Sequence, residues 1–255
     1  MAPLLYQKAA PKWCGSIFNL GSFKKYDKFY FLKLDISKYF YSLDHEVIIS
    51  IIKQDLTQDE LNLVKIILDS TNKEYINKKI EYLEKKYNVI LPKYEYKKGL
   101  AIGNLSSQFL AILYLSKLQH YIINNLHIKF INYMDDYIII HNSKDYLKDS
   151  LELIENKINI EYKLKLNNKK TVISNSNQGI SFLGYTFRVK DNKTIIKLSS
   201  NTKKNIRKEI KRANYLYRNN IIKFNQYFSS IEYFKNNYIF VNKDKVKHFI
   251  DRYNG

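Results

Sequence analysis

The sequence predicts an α+β fold, a small antiparallel sheet packed by helices, with a helical unit following it. Three observations carry that expectation: an apolar run of strand length ending on an acid (residues 29–35, FYFLKLD), two apolar segments flanking an Asp-Asp pair (residues 129–141, KFINYMDDYIIIH), and capped stretches of helical periodicity between and after them.

Taken in order, the first run leaves the carboxylate of Asp35 at a strand's end. In SLDHEVIISIIKQ, Ser42 or Asp44 can cap a helix whose apolar face is Val47, Ile48, Ile51 and Ile52. Thr57 and Glu60 form a capping-box pattern ahead of Leu61, Val64 and Leu68. Residues 71–98, rich in Lys, Tyr, Asn and Glu, read as an exposed and partly helical excursion without chemistry of its own. From Ser106, SSQFLAILYLSKLQHYIINN sets Phe109, Leu110, Leu113 and Leu118 on helical spacing, predicting a buried helix after a loop that carries Gly99 and Gly103.

Residues 129–141 predict a tight hairpin with Asp135 and Asp136 at its tip. Ser143 then caps a helix with Leu147, Leu151, Ile154 and Ile158 inward, and TVISNS, ISFLGYTF and TIIKLS read as short strands. After Leu198, NTKKNIRKEIKRANYLYR places Ile206, Ile210, Ala213 and Tyr217 on one stripe, with Lys203, Lys204, Arg207, Lys208, Lys211 and Arg212 over the other surfaces. A second, aromatic-rich helix near residues 223–237 packs against it, so the expected division is a body of residues 1–198 and a helical unit of residues 199–255.

Composition excludes several classes. With 45% hydrophobic and 26% charged residues and apolar periodicity throughout, the chain is no disordered polymer. Lys and Arg number 43 against 24 Asp and Glu, a net charge of +19, which makes nucleic acid the first partner to consider; an AT-rich coding bias toward Lys is the bland alternative. One cysteine, Cys14, rules out an internal disulfide or a cysteine-built zinc site. No apolar run reaches the roughly 18 residues of a membrane span, and residues 1–20 have no continuous signal-peptide core, so the expectation is a soluble cytoplasmic protein without a membrane partner.

Adjacent aspartates at a hairpin tip raise each other's pKa unless a cation lies between them. Mg²⁺ ions about 3.5–4 Å apart, held by carboxylates, serve phosphoryl transfer in two-metal sites, and Asp35 supplies the third acid from another strand end. An Asp-Asp pair alone is more often a surface turn. Its neighbours make it specific.

FLKLDISKYFYSLDH (residues 31–45), GLAIGNLSSQFLAILYLSKLQHY (99–121), NYMDDY (132–137), LKLNNKKT (164–171) and GISFLGYTF (179–187) resemble successive blocks of bacterial reverse transcriptases, in the family's order. The resemblance implies a right-hand polymerase palm with partial fingers and a small helical thumb, and RNA-directed DNA polymerase activity. It implies Asp35, Asp135 and Asp136 as metal ligands for two Mg²⁺ ions, with Mn²⁺ as a substitute and the Ile36 carbonyl as an extra ligand. Phe40 stands where the family keeps an aromatic wall under the sugar, and Lys170 where a lysine protonates pyrophosphate, with Lys169 as neighbouring candidate. Ile102, Gly103, Ser107 and Gln108 fall in the block that meets the incoming nucleotide and template base. There the form Ile-Gly-x-x-x-Ser-Gln resembles the enzymes of diversity-generating retroelements and unclassified bacterial groups, and implies loosened fidelity opposite adenine. Phe182, Leu183, Gly184 and Tyr185 resemble the primer-gripping turn, although core packing explains the Phe and Leu equally well. Implied partners are an RNA template, a DNA or RNA primer, deoxynucleoside triphosphates and, as a further candidate, a basic accessory protein.

Only 34 residues precede Asp35, and residues 1–21 show no clear match to the family's fingers block, so a shortened fingers segment is expected. Lys24, Lys25, Lys28 and Lys33 are basic residues near that end without an assigned role. The competing readings are a catalytically inactive nucleic-acid-binding remnant and a template-independent DNA polymerase of a phage-defence system.

Overall fold

The computed structural model describes residues 29–190, 193–236 and 243–252, so Cys14, residues 1–21, Lys24, Lys25 and Lys28 lie outside the described residues. The chain divides into two compact units, Met1–Ser174 and Asn175–Gly255.

In the first unit, β1 (Tyr30–Leu34) is followed by the short helix α1 (Tyr39–Ser42), α2 (His45–Ile52), α3 (Gln58–Asp69) and, after a 3-10 turn, α4 (Glu74–Tyr87). Then come α5 (Leu105–Tyr114), α6 (Ser116–Asn124), the hairpin β2 (Lys129–Tyr133) and β3 (Asp136–His141), α7 (Lys144–Glu161) and β4 (Val172–Asn175). The sheet order is β2-β3-β1-β4, with β1 and β2 both antiparallel to β3. Side chains alternate across a strand. Leu32, Leu34, Tyr137 and Ile139 therefore share the face that joins Ile48, Leu110, Leu118, Leu147 and Ile154 in one buried core, and Lys33 and Asp136 fall on the other face.

The caps set these helices in register. Thr57 and Glu60 close the expected capping box on α3, and the Ser143 hydroxyl accepts the Tyr146 amide at the start of α7. Asp44, not Ser42, caps α2: its Oδ1 accepts the amides of Glu46 and Val47 at 3.0 and 3.1 Å, and its Oδ2 accepts Lys163 Nζ at 2.9 Å. The helix expected from Ser106 is two helices, broken at Leu115 (φ −98°, ψ 7°) without a proline or glycine. Leu113, Tyr114, Leu115 and Leu118 are all buried across the break, more of a circumference than one straight stripe could bury, so packing overrides helix propensity there.

In the second unit β5 (Ile180–Phe182), β6 (Tyr185–Lys190) and β7 (Lys193–Leu198) form an antiparallel meander. Helices α8 (Ser200–Arg218), α9 (Phe224–Asn236) and α10 (Lys243–Asp251) follow, and α8 packs against both others. Ile206, Ile210 and Ala213 of the expected stripe are buried, while Tyr217 is exposed. Among the described residues no helix is long and apolar enough to cross a membrane.

Asp44 provides a test of this frame. Burial raises its pKa, but the hydrogen bond from Lys163 and the amides of Val47 and Glu46 outweigh it and leave the carboxyl below its ordinary value. Such a group stabilises the fold above its unfolded pKa of about 3.9 and loses that contribution as pH falls through the lower folded value. Asp44→Ala, losing cap and ion pair, is expected to cost about 1–2 kcal/mol in denaturant titrations. Asp44→Asn keeps a capping oxygen, so its deficit against wild type should be present at neutral pH and shrink below pH of about 4; a deficit independent of pH would count against the ion pair.

Candidate active site

Sheet register gathers the acids. The last β1/β3 pair is Leu34 with Tyr137, so Asp35 leaves β1 beside Asp136, the first residue of β3. Tyr133 pairs with Asp136, which makes Met134 and Asp135 a two-residue turn, and Met134 takes a left-handed φ of 56°. A methionine has no intrinsic preference for that region, so the tip carries backbone strain that the flanking ladder holds in place. Beyond β1 the chain crosses residues 165–167: the Ser37 amide donates to the Lys165 carbonyl at 2.9 Å and the Asn167 amide to the Asp35 carbonyl at 2.8 Å. That pattern leaves the carbonyl of Ile36 outside the pairing.

Two lysines face the three acids. Lys170 Nζ donates to Asp35 Oδ1 at 3.1 Å, and Lys33 Nζ lies 3.5 Å from Asp136 Oδ1. That Asp136 oxygen is inaccessible to water and accepts no hydrogen bond. Burial lifts the Asp135 pKa; its own amide opposes the shift, the charges of Asp136 and Asp35 add to it, and Lys170 moderates it. The hydrogen bond to Asp35 raises the Lys170 pKa against partial burial, with the charges of all three aspartates in support, so Lys170 is an ammonium at neutral pH. Beneath them Tyr39 is buried and donates to the Ala111 carbonyl at 2.6 Å; burial, then Tyr137 and Asp135, push its hydroxyl well above the ordinary tyrosine value.

Lys33 is the residue that sequence reasoning left without a role. A lone lysine in an otherwise apolar strand, two residues before the acid and hence on the same face, was the available signal. It became readable only with the β1/β3 register.

Phe40 is half-buried against the core, its ring edge-on to Tyr39 at 5.9 Å. Its carbonyl accepts the Leu100 amide at 2.7 Å, and the Leu43 carbonyl accepts the Gly99 amide at 2.8 Å, so residues 99–100 strap the end of α1. Gly99 has φ +84°, and a Cβ there would stand 2.7 Å from the Tyr94 ring and 3.1 Å from the Phe40 carbonyl, a position only glycine fits. Past the strap, Ile102 is 62% exposed. Gly103 (φ +102°) has no atom within 4 Å of where a Cβ would be, so the space beside it is open. Gln108 is exposed, whereas Ser107 is buried and its hydroxyl has no hydrogen-bond partner. The block thus presents Ile102, Gly103 and Gln108 to solvent and withholds Ser107.

The turn of Phe182, Leu183, Gly184 and Tyr185 belongs to the second unit. Phe182 pairs with Tyr185, and Leu183 (φ 48°) and Gly184 (φ 82°) form the two-residue turn, both left-handed as a hairpin of this length favours. Phe182 and Tyr185 are buried and Leu183 is partly exposed. The Gly184 carbonyl accepts the Ser199 amide at 2.9 Å and the Thr202 hydroxyl at 2.7 Å, which ties the turn to the start of α8.

Among the described residues no three His, Cys, Asp or Glu side chains are drawn together tightly enough to hold a metal ion. The donors near the hairpin are nonetheless of the type a hard divalent cation takes, carboxylates and a backbone carbonyl.

Residues 13–187 match the family described as reverse transcriptase (RNA-dependent DNA polymerase). No curated protein matches the chain. Telomerase from Candida albicans, in complex with a TWJ fragment of telomeric RNA, aligns with a TM-score of 0.50 and 14% identity over 82% of this chain and 37% of that one. Apo telomerase from Candida tropicalis, truncated from its C-terminal domain, aligns with a TM-score of 0.48 and 19% identity over 71% of this chain and 38% of that one. The chain therefore spans less than half the length of these structures, and the first likeness is one of fold. The fold is that of a reverse-transcriptase-like polymerase, α+β with an antiparallel sheet. By the match over most of its length, the chain belongs to the reverse transcriptase family.

Because partial burial, and then the charges of Asp136 and Asp35, disfavour the ionised form of Asp135, Asp135→Asn is expected to raise the melting temperature in EDTA at neutral pH. Lys33→Met, which leaves Asp136 without its cation, is expected to lower it. Calorimetry or circular dichroism reads both, and an unchanged or lower melting temperature for Asp135→Asn would show that the acids do not strain the metal-free fold.

Proposed function

We propose that the chain is an RNA-directed DNA polymerase, extending a DNA or RNA primer on an RNA template with deoxynucleoside triphosphates. The observation that carries this reading is the convergence of Asp35, Asp135 and Asp136 with Lys170 beside an open nucleotide-facing block, in a chain of this family.

Asp35, Asp135, Asp136 and the Ile36 carbonyl would hold two Mg²⁺ ions, or Mn²⁺ in their place. Such ions, when bound, neutralise phosphate charge and make the primer 3′-hydroxyl a better nucleophile. The chain's own groups supply positioning. Phe40, fixed by the strap at its carbonyl and by the Tyr39 ring, walls the sugar and disfavours a 2′-hydroxyl. Lys170, kept as an ammonium by its acidic neighbours, has a proton to give to a pyrophosphate leaving group. Gly103 lets the backbone approach the substrate and the exposed Gln108 completes that face, whereas the buried Ser107 supports it from within.

The exposed Ile102 offers shape but no hydrogen bond to a nascent pair, so discrimination there is weak. This supports error-prone copying and membership of the diversity-generating or unclassified bacterial groups. Phe182, Leu183, Gly184 and Tyr185 are proposed to hold the primer backbone. The helices of residues 199–255 act as a thumb whose cations meet phosphates without regard to sequence.

Primer extension on a mixed-base RNA template is the test. Templated DNA is expected from wild type, with a loss of more than about a hundredfold for Asp135→Ala. Ile102→Gln should reduce errors opposite adenine in the sequenced products, and Phe40→Ala should admit ribonucleotides roughly ten times more readily. A folded, RNA-binding protein that incorporates nothing would mean either an inactive remnant or a polymerase that needs a fuller fingers segment, which grafting one on would decide; untemplated product would identify the template-independent polymerase.

A further inference from the structure

The first helical turn and the far end of α8 differ in what they expose. Over its length α8 carries seven Lys and Arg and one acid, Glu209, whose contact with Arg212 is loose at 3.9 Å. Where α8 meets α9 the surface changes from charged to aromatic. Tyr217 stacks on Tyr227 at 4.8 Å and 18°, meets Phe224 edge-on at 6.2 Å, and Phe224 stacks on Phe228 at 5.9 Å. Phe224 is 57% exposed, Phe228 52% and Tyr233 63%. Such exposure is costly for rings that serve only as core, and the core of this unit is already supplied by Ile206, Ile210, Ala213 and Ile231. Between the two helices runs a groove of about 380 Å³ lined by Arg212, Gln226, Ser230 and Tyr233 and also by the carboxylate of Glu209, while Phe224 and Phe228 stand outside it on the exposed surface of α9.

We propose that the exposed surface of α8 and α9 binds single-stranded nucleic acid, with unpaired bases stacking on the α9 rings and phosphates lying along the cations of α8. The charge on α8 selects a polyanion. The rings select which one: a duplex keeps its bases stacked on each other and offers only phosphates, whereas a single strand offers free base faces, to which aromatic side chains add roughly 1–3 kcal/mol per base. Gln226 and Ser230 supply hydrogen-bonding groups for base edges without fixing a sequence. The inference rests on the reading of these helices as a thumb and adds a single strand as its occupant; primer extension tests that reading, and the binding experiment below tests this one.

Fluorescence anisotropy with the full chain tests it, using a labelled RNA of about 12 nucleotides, single-stranded or annealed to its complement, over a range of salt. Phe224→Ser/Phe228→Ser/Tyr233→Ser is expected to weaken single-strand binding by about tenfold or more with an unchanged salt slope, and to leave duplex binding within about twofold. Lys208→Gln/Lys211→Gln should instead flatten the salt slope for both. Phe224→Tyr/Phe228→Tyr, which keeps the rings, should bind the single strand like wild type. Should circular dichroism find the triple variant unfolded, Tyr233→Ser alone decides, with an expected loss of about threefold or more. Equal losses on single strand and duplex, or a folded aromatic variant that binds the single strand as tightly as wild type, would overturn the proposal; in the second case the rings serve a protein contact.

Discussion

Mutual repulsion among three aspartates is the constraint to which the first unit is fitted. Asp35 ends one strand and Asp136 begins its antiparallel partner, with Asp135 between two strands at a left-handed turn. Water would relieve such a cluster if it were exposed, but Asp35 is buried and Asp135 and Asp136 are only partly open to it, so counter-charge supplies much of the relief. Lys33 and Lys170 provide it from opposite directions, one from within β1 and the other from the segment that pairs with residues 35–37. The ladder of β1 against β3 thus does two things at once: it drives the acids together and it delivers one of the cations that make their proximity tolerable.

The same register explains why the helices sit where they do. With Lys33 and Asp136 committed to one face, Leu32, Leu34, Tyr137 and Ile139 must find cover on the other, and α2, α5, α6 and α7 give it. Tyr39 and Tyr114 carry hydroxyls into that cover and both are satisfied by carbonyls, those of Ala111 and Tyr162 at 2.6 Å. A buried polar group with a partner costs little and fixes geometry, so these two bonds hold the floor beneath the acids against sideways drift.

What the sequence made legible was what depends on near neighbours. The short apolar segments on either side of Asp135 and Asp136 marked the hairpin, the Thr57–Glu60 spacing marked the α3 cap, and Ser143 marked the start of α7. The break at Leu115 was not legible, because it answers to core packing from several elements and no local breaker marks it. The strap of residues 99–100 was likewise hidden: Gly99 reads as loop flexibility until the Phe40 carbonyl and Tyr94 ring are placed beside it. Lys33 was seen as a basic residue without a task, since its partner lies across a strand pair. Among the proposed site residues, Asp35, Asp135, Asp136 and Lys170 are brought together, whereas Ser107 is turned into the interior, a distinction between adjacent helix positions that depends on the helix's rotation about its axis.

Helix α4 buries none of its residues, yet the chain returns from it to three backbone hydrogen-bonding groups at the end of α1 and the start of α2: the carbonyls of Phe40 and Leu43 and the His45 amide. The excursion is therefore closed like a clasp at its base while its tip carries no structural obligation. Sequence there is free to drift, lengthen or be exchanged without moving Phe40, and a graft between Tyr87 and Leu91 would leave the nucleotide-facing wall untouched. Within this first unit, variation and constancy are separated by a few hydrogen bonds.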